Sequence, residues 1–157
     1  MVKLLCSNFF LGLFLGIALM CAPLSSAAAE VSPEPQSRYP PITDAEIETI
    51  ARLVYLEARG ECARGQQAVV EVVLNRVVSE RFGHVNNVEE VVYDRKYAVQ
   101  FRPARRIPGV TPKQAQYDAV NAALYGEPVL DMSYLYFNGV PVTRRGVVQI
   151  GAHYFSE

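Results

Sequence analysis

The chain has 157 residues, half of them hydrophobic and a fifth charged, with a formal charge of −1. That length holds one domain of ordinary size, and the apolar content excludes wholesale disorder. The near balance of 15 basic and 16 acidic residues argues against a nucleic-acid partner, which selects for a basic surplus. It also gives no electrostatic reason to dock on an acidic membrane.

Part of the hydrophobic total lies in a targeting segment. Lys3 supplies a positive charge, an apolar run from Phe9 to Ala22 follows, and Pro23 to Ala29 is rich in small residues. Charged start, apolar centre and small-residue end are the order of a secretory signal peptide, so residues 1–29 are expected to be removed after Ala29. An uncleaved anchor is the competing reading, because the run extends back to Leu4. Membrane contact is expected only through this segment, and the mature protein is expected to be secreted or held in the cell envelope. Cleavage leaves 128 residues with a charge of −2, and Cys62 as the lone cysteine. A lone cysteine forms no internal disulfide even in an oxidising compartment. As a nucleophile Cys62 needs a positioned histidine, and only His84 and His153 exist, both distant in sequence. Their separation offers no zinc spacing, so neither a metal nor another cofactor is expected.

Residues 30–43 hold four prolines and few large apolar side chains, which reads as a Pro-rich linker. The domain is expected over residues 44–157. Thr43-Asp44-Ala45-Glu46 has the form of a capping box. Ile47, Ile50, Ala51, Val54 and Ala58 then share one helical stripe, and Gly60 stops a helix over residues 44–59. A second helix over 65–79 is apolar around most of its circumference, which predicts a central, buried position. Asn87 caps a short helix over 88–92. Residues 94–109 include four arginines without a clear period and read as loop, with one short strand at 98–101. Thr111-Pro112-Lys113-Gln114 predicts a helix start with Thr111 as cap, running to Gly126. Residues 134–137 and 147–150 read as strands, and Asn138-Gly139 as a turn. The sum is an α+β domain, mainly helical with a small β portion.

Two clusters can carry chemistry. Glu57 borders the apolar stripe of the first helix, where desolvation holds a carboxyl protonated to higher pH, as a general acid requires. Glu61 lies four positions on, near the helix end. The plainer alternative pairs Glu57 with Arg59 or Arg64 at the surface. The second cluster is aromatic and amide-rich: Gln100, Phe101, Tyr134, Tyr136, Phe137, Asn138 and the run Gly151 to Phe155, which includes His153. Flat apolar faces beside fixed amides suit sugar rings, although a hairpin that packs its aromatics inward reads the same way.

Leu53 to Glu61 (Leu-Val-Tyr-Leu-Glu-Ala-Arg-Gly-Glu), then Gly65-Gln66 and Val72 to Val77 with its Asn75-Arg76, resemble the SleB-type cell wall hydrolases, the spore-cortex-lytic enzyme family. Arg81-Phe82, Val88 to Tyr93, Gln100-Phe101, Tyr136-Phe137-Asn138, and Ile150-Gly151 with His153 and Phe155 follow in the same order. The resemblance implies a lysozyme-like fold and cleavage of the glycan strand of peptidoglycan, with a lytic transglycosylase outcome. It maps the family's catalytic glutamate onto Glu57. It leaves Glu61, Gln100, Phe101, Tyr136, Phe137, Asn138 and His153 as substrate-binding candidates, with peptidoglycan glycan strands as the partner and any protein partner unknown. Cys62 stands where the family often has proline, and His84 replaces a proline-rich turn. The segment between Asn138 and Val147 is short, and no separate wall-binding module is read in the chain. The rival classes are an inactive wall-binding module, a two-carboxylate muramidase and a structural envelope protein.

Overall fold

The computed structural model describes residues 36–96 and 100–157. The signal segment therefore lies outside the described residues, as do Ala98 and Val99 of the expected strand at 98–101. Four α-helices run α1 (Asp44–Ala58), α2 (Ala63–Val78), α3 (Val88–Val92) and α4 (Gln114–Tyr125), and three strands follow, β1 (Tyr136–Asn138), β2 (Val148–Ile150) and β3 (His153–Ser156). Short 3-10 helices span Glu80–Phe82 and Arg102–Gly109. This is the expected α+β composition, helical in the main.

The capping box forms: Thr43 Oγ1 accepts from the Glu46 amide at 3.3 Å and Glu46 Oε2 accepts from the Thr43 amide at 2.9 Å. α1 buries Ile50, Ala51, Leu53, Val54 and Ala58. α2 is the central helix and packs against α1, α3 and α4, and every residue from Gly65 to Arg76 is buried. Its buried polar side chains are placed at helical intervals. Gln67, Glu71 and Asn75 recur every fourth residue and so share one face. Each bonds the irregular segment after α4. Gln67 Nε2 donates to Glu127 O at 2.8 Å, Glu71 Oε2 accepts from Leu130 N at 2.7 Å, and Asn75 Nδ2 donates to Asp131 O at 2.9 Å. Arg76 Nε continues the series to Leu135 O at 2.7 Å. A segment with no ladder of its own thus has several of its backbone groups satisfied by α2, and this helps to fix where β1 begins.

Four expectations need correction. The linker reading over 30–43 does not hold at its C-terminal end: Tyr39 is 5 % exposed in the core, its hydroxyl donates to Asn75 Oδ1 at 2.7 Å, and Arg38 Nη1 donates to Leu130 O at 3.1 Å. The prolines keep the chain extended, but Arg38 and Tyr39 find partners on α2 and on the segment it holds. Arg102–Gly109 is a 3-10 helix rather than loop, and Gln100 and Phe101 are not in a strand. Phe101, Ala104 and Ile107 are all buried, and a spacing of three puts side chains on one edge of a 3-10 turn. α4 starts at Gln114 and not after Thr111, because the Gln116 side chain accepts from the Lys113 amide at 2.9 Å. Gln116 also ties α4 to α2, donating through Nε2 to Gln66 Oε1 at 2.8 Å.

The last correction concerns the sheet. Its order is β1-β3-β2, all antiparallel, so the aromatic run after Gly151 is the central strand and Asn138-Gly139 closes no hairpin. The tight turn is Gly151-Ala152, between the paired residues Ile150 and His153. Gly151 has φ +60°, a conformation costly for residues with a Cβ. Phe155 on β3 is fully buried and anchors the sheet to the helical core.

Candidate active site

α1 delivers Glu57 in its last turn to a cleft of about 590 Å³. Glu57, Arg76, Gln100, Arg102, Pro103, Phe137, Asn138, Gly139, Val140 and His153 line it. One wall is thus helical, one comes from the 100–103 segment, and one from β1, the chain after it and the start of β3. The volume suits a few sugar rings or a molecule of similar size.

The Glu57 side chain is half-buried and makes no hydrogen bond or ion pair with the described residues. The pairing with Arg59 or Arg64 is therefore not made. Burial alone holds its carboxyl above the ordinary carboxylate range. An uncommitted carboxyl that retains its proton at the edge of a cleft can donate that proton to a bound acceptor.

Glu61 lies elsewhere. Its Oε2 accepts from the Ala152 amide at 3.0 Å, and its Oε1 sits 3.8 Å from His153 Nδ1. A Cβ on Gly151 would come within 1.8 Å of Glu61 Oε2. Glu61 therefore fastens the end of α1 to the β2–β3 turn and does not line the cleft. Through that turn it sets the position of His153, whose ring meets Phe137 edge-on at 5.2 Å between centroids.

Of the expected substrate-binding residues, Gln100, Phe137, Asn138 and His153 meet Glu57 in the cleft. Phe101 does not: it is 2 % exposed and supports the wall from behind, 6.1 Å from the Phe137 ring. Tyr136 also falls outside the lining. Its ring lies against Phe82 and carries the Arg144 guanidinium at 4.2 Å from its centroid. The aromatics thus divide by position, with Phe137 lining the cleft and Phe101 in the core.

Arg76 and Arg102 were missed as site residues. Arg76 is 3 % exposed, and its guanidinium carbon lies 5.0 Å from the centroids of Phe82 and Phe101 and 5.6 Å from that of Tyr136. Burial pushes its pKa down to about 10, against the opposing pull of Tyr136 and Asp94, so it remains a cation at neutral pH. A cation on a helix expected to be central and buried was the available signal.

Other carboxylates are engaged elsewhere. Asp94 Oδ2 lies 3.1 Å from His84 Nε2, and Asp94 Oδ1 accepts from the Lys96 amide at 2.9 Å. Burial alone would raise its pKa, but the Lys96 amide, His84 and Arg76 outweigh that and hold it below the usual value. No cluster of three or more potential metal ligands occurs among the described residues.

The model of the Cell Wall Hydrolase family matches residues 60–156, beginning just past Glu57. The spore cortex-lytic enzyme of Bacillus cereus is 36 % identical over 118 residues, 70 % of this chain and 43 % of that protein. That of Bacillus subtilis is 34 % identical over 120 residues, covering 71 % and 37 %. The chain therefore spans less than half the length of these relatives. Among solved structures, the catalytic domain of the germination-specific lytic transglycosylase SleB from Bacillus anthracis superposes with a TM-score of 0.61 at 31 % identity, covering 74 % of this chain and 97 % of that one. The catalytic domain of the Bacillus cereus SleB protein gives 0.60 at 30 %, covering 74 % and 93 %. The chain thus has the lysozyme-like α+β fold of those domains, and it belongs to the cell wall hydrolase family.

Proposed function

We propose that this protein cleaves the glycan strand of peptidoglycan between N-acetylmuramic acid and N-acetylglucosamine, as a lytic transglycosylase with Glu57 as its acid. The observation that carries the reading is the half-buried, uncommitted Glu57 carboxyl in a cleft that several sugar rings can fill. Glu57 protonates the glycosidic oxygen as the bond to the anomeric carbon breaks. The muramic 6-hydroxyl then attacks that carbon and gives its proton back to Glu57, closing a 1,6-anhydro ring. The held 6-hydroxyl has the high effective concentration of an intramolecular nucleophile. Phe137, Gln100, Asn138 and His153 position the sugars, one apolar face among polar partners. A two-carboxylate muramidase needs a second acid at a set distance. Glu57 is the sole carboxyl lining the cleft among the described residues, while Glu61 and Asp94 are bonded elsewhere.

Export by a signal peptide over residues 1–29 fits this substrate, on the strength of Lys3, the Phe9–Ala22 run and the Ala27/Ala29 pair. Exported protein should begin after Ala29 by N-terminal sequencing, and one beginning at Met1 favours an anchor. The activity is tested by zymography on purified sacculi. Clearing is expected, whereas retention on the sacculi without clearing replaces the enzyme with a wall-binding module. Neither clearing nor retention leaves a structural envelope protein.

A further inference from the structure

The cleft has an unusual charge balance. Its one carboxyl among the described residues, Glu57, is held toward the neutral form by burial, while the guanidinium side chains Arg76 and Arg102 both line it. Glu57 forms no ion pair with either arginine among the described residues, and burial acts on its pKa upward. Neither arginine forms an ion pair among the described residues. Arg76 spends Nε on Leu135 O, but its Nη1 is buried with no hydrogen-bond partner among the described residues. A buried donor left unpaired is costly, and three aromatic rings hold this guanidinium in place. Structural packing accounts for the rings and leaves this donor without a partner on a residue that lines the cleft. Arg102 begins the 3-10 helix and is exposed.

We propose that Arg76 and Arg102 form a carboxylate subsite of the cleft, which selects glycan strands carrying a free acid group near the bond that is cut. This rests on the reading of the protein as a peptidoglycan-cleaving enzyme and specifies which form of the strand it prefers. A guanidinium presents a planar fork that matches a carboxylate with two parallel hydrogen bonds, which an ammonium does not reproduce. Two chemical sources supply that carboxylate in peptidoglycan: the lactyl group of a muramoyl residue without its stem peptide, or the acid groups of the peptide itself.

The test compares kcat/KM on three soluble strands of equal length: peptide-free with free lactyl carboxylates, the same strand with each lactyl group converted to a neutral methylamide, and one bearing stem peptides. The free-carboxylate strand should exceed the methylamide by about tenfold or more, the scale of one charge-assisted hydrogen bond, mostly through KM. Arg102→Gln and Arg76→Lys should each bring that ratio toward one, in samples whose thermal transition shows them folded. A peptide-bearing strand as good as the free-carboxylate strand identifies the peptide acids as an equivalent source; a poor one restricts the subsite to the lactyl group. Equal kcat/KM of the wild-type protein on the first two strands overturns the subsite and leaves the cleavage reading intact. A ratio that survives both substitutions removes these arginines from it. If no strand is cleaved, the enzymatic reading fails, and calorimetric binding of the same strands to Glu57→Gln protein still decides the subsite: affinity without preference for the carboxylate rejects it.

Discussion

Replacing Glu57 with Gln keeps the size and planarity of the side chain and removes the proton that it delivers. General acid catalysis contributes about 10²–10⁴-fold, or about 2.7–5.4 kcal/mol of transition-state stabilisation at 1.36 kcal/mol per decade. Glu57→Gln should therefore lower the turnover of soluble glycan strands at least about a hundredfold while KM changes little. Stability should move the other way. Burial raises the Glu57 pKa in the folded protein, so the native state binds more protons than the unfolded chain between the two pKa values. Stability attributable to this group is fully present below the unfolded value and declines as pH rises through the folded one. The amide does not ionise, so at pH 7 Glu57→Gln should melt at the wild-type temperature or slightly above it, with the difference vanishing near pH 4. The same shift sets the activity profile: the rate should fall as pH rises through the elevated Glu57 pKa, and that limb should be absent from the residual activity of the variant. Glycan assays and thermal scans across pH 4–8 read both effects. Near-wild-type turnover by Glu57→Gln, or a loss accompanied by unfolding, refutes the argument. Near-wild-type turnover by Glu57→Gln together with full loss in a folded Glu61→Gln protein would transfer the acid role to Glu61.

Gly151→Ala combines a positive φ with a Cβ placed 1.8 Å from Glu61 Oε2, so it should cost at least about 1–2 kcal/mol and lower activity by displacing His153. Wild-type melting and activity would show that the contact of Glu61 with this turn does not position His153. Tyr39→Phe deletes the hydroxyl bonded to Asn75 at 2.7 Å and should cost about 1–2 kcal/mol in urea unfolding; no change would return residues 36–42 to the role of a free linker. Phe155→Ala empties a fully buried site on the central strand and should cost about 3–5 kcal/mol, read as a lowered urea midpoint. A cost below about 1 kcal/mol would mean that the sheet is held by other contacts.

The helices were legible because their signals are local. Thr43 and Glu46 specify a start within four residues, and the stripe from Ile47 to Ala58 gives the buried face. The sheet was only partly legible, because pairing order is a long-range property: nothing near Tyr154 indicates that it lies between β1 and β2. The Asn138-Gly139 pair has hairpin chemistry, yet the chain turns at Gly151, where Glu61 supplies a distant carboxylate to the Ala152 amide. The same distinction divides the site. The position of Glu57 at the border of the core was legible from its angle to an apolar stripe, and its role as acid was expected only through the family resemblance, whereas the separation of Phe137 from Phe101 and Tyr136 depends on how distant segments pack around the cleft. Arg76 was hidden for a different reason, since its value as a cation comes from burial among rings contributed by three separate segments.

The central claim is that Glu57 works as the lone cleft carboxyl with the substrate's own 6-hydroxyl as nucleophile. Mass spectrometry of glycan fragments released from purified peptidoglycan, before and after borohydride treatment, tests it directly. The account predicts 1,6-anhydro-muramic acid ends, one water lighter than reducing ends and unchanged by borohydride. Fragments ending mostly in reducible muramic acid would contradict it, since water would then be the nucleophile and a second carboxylate would be required.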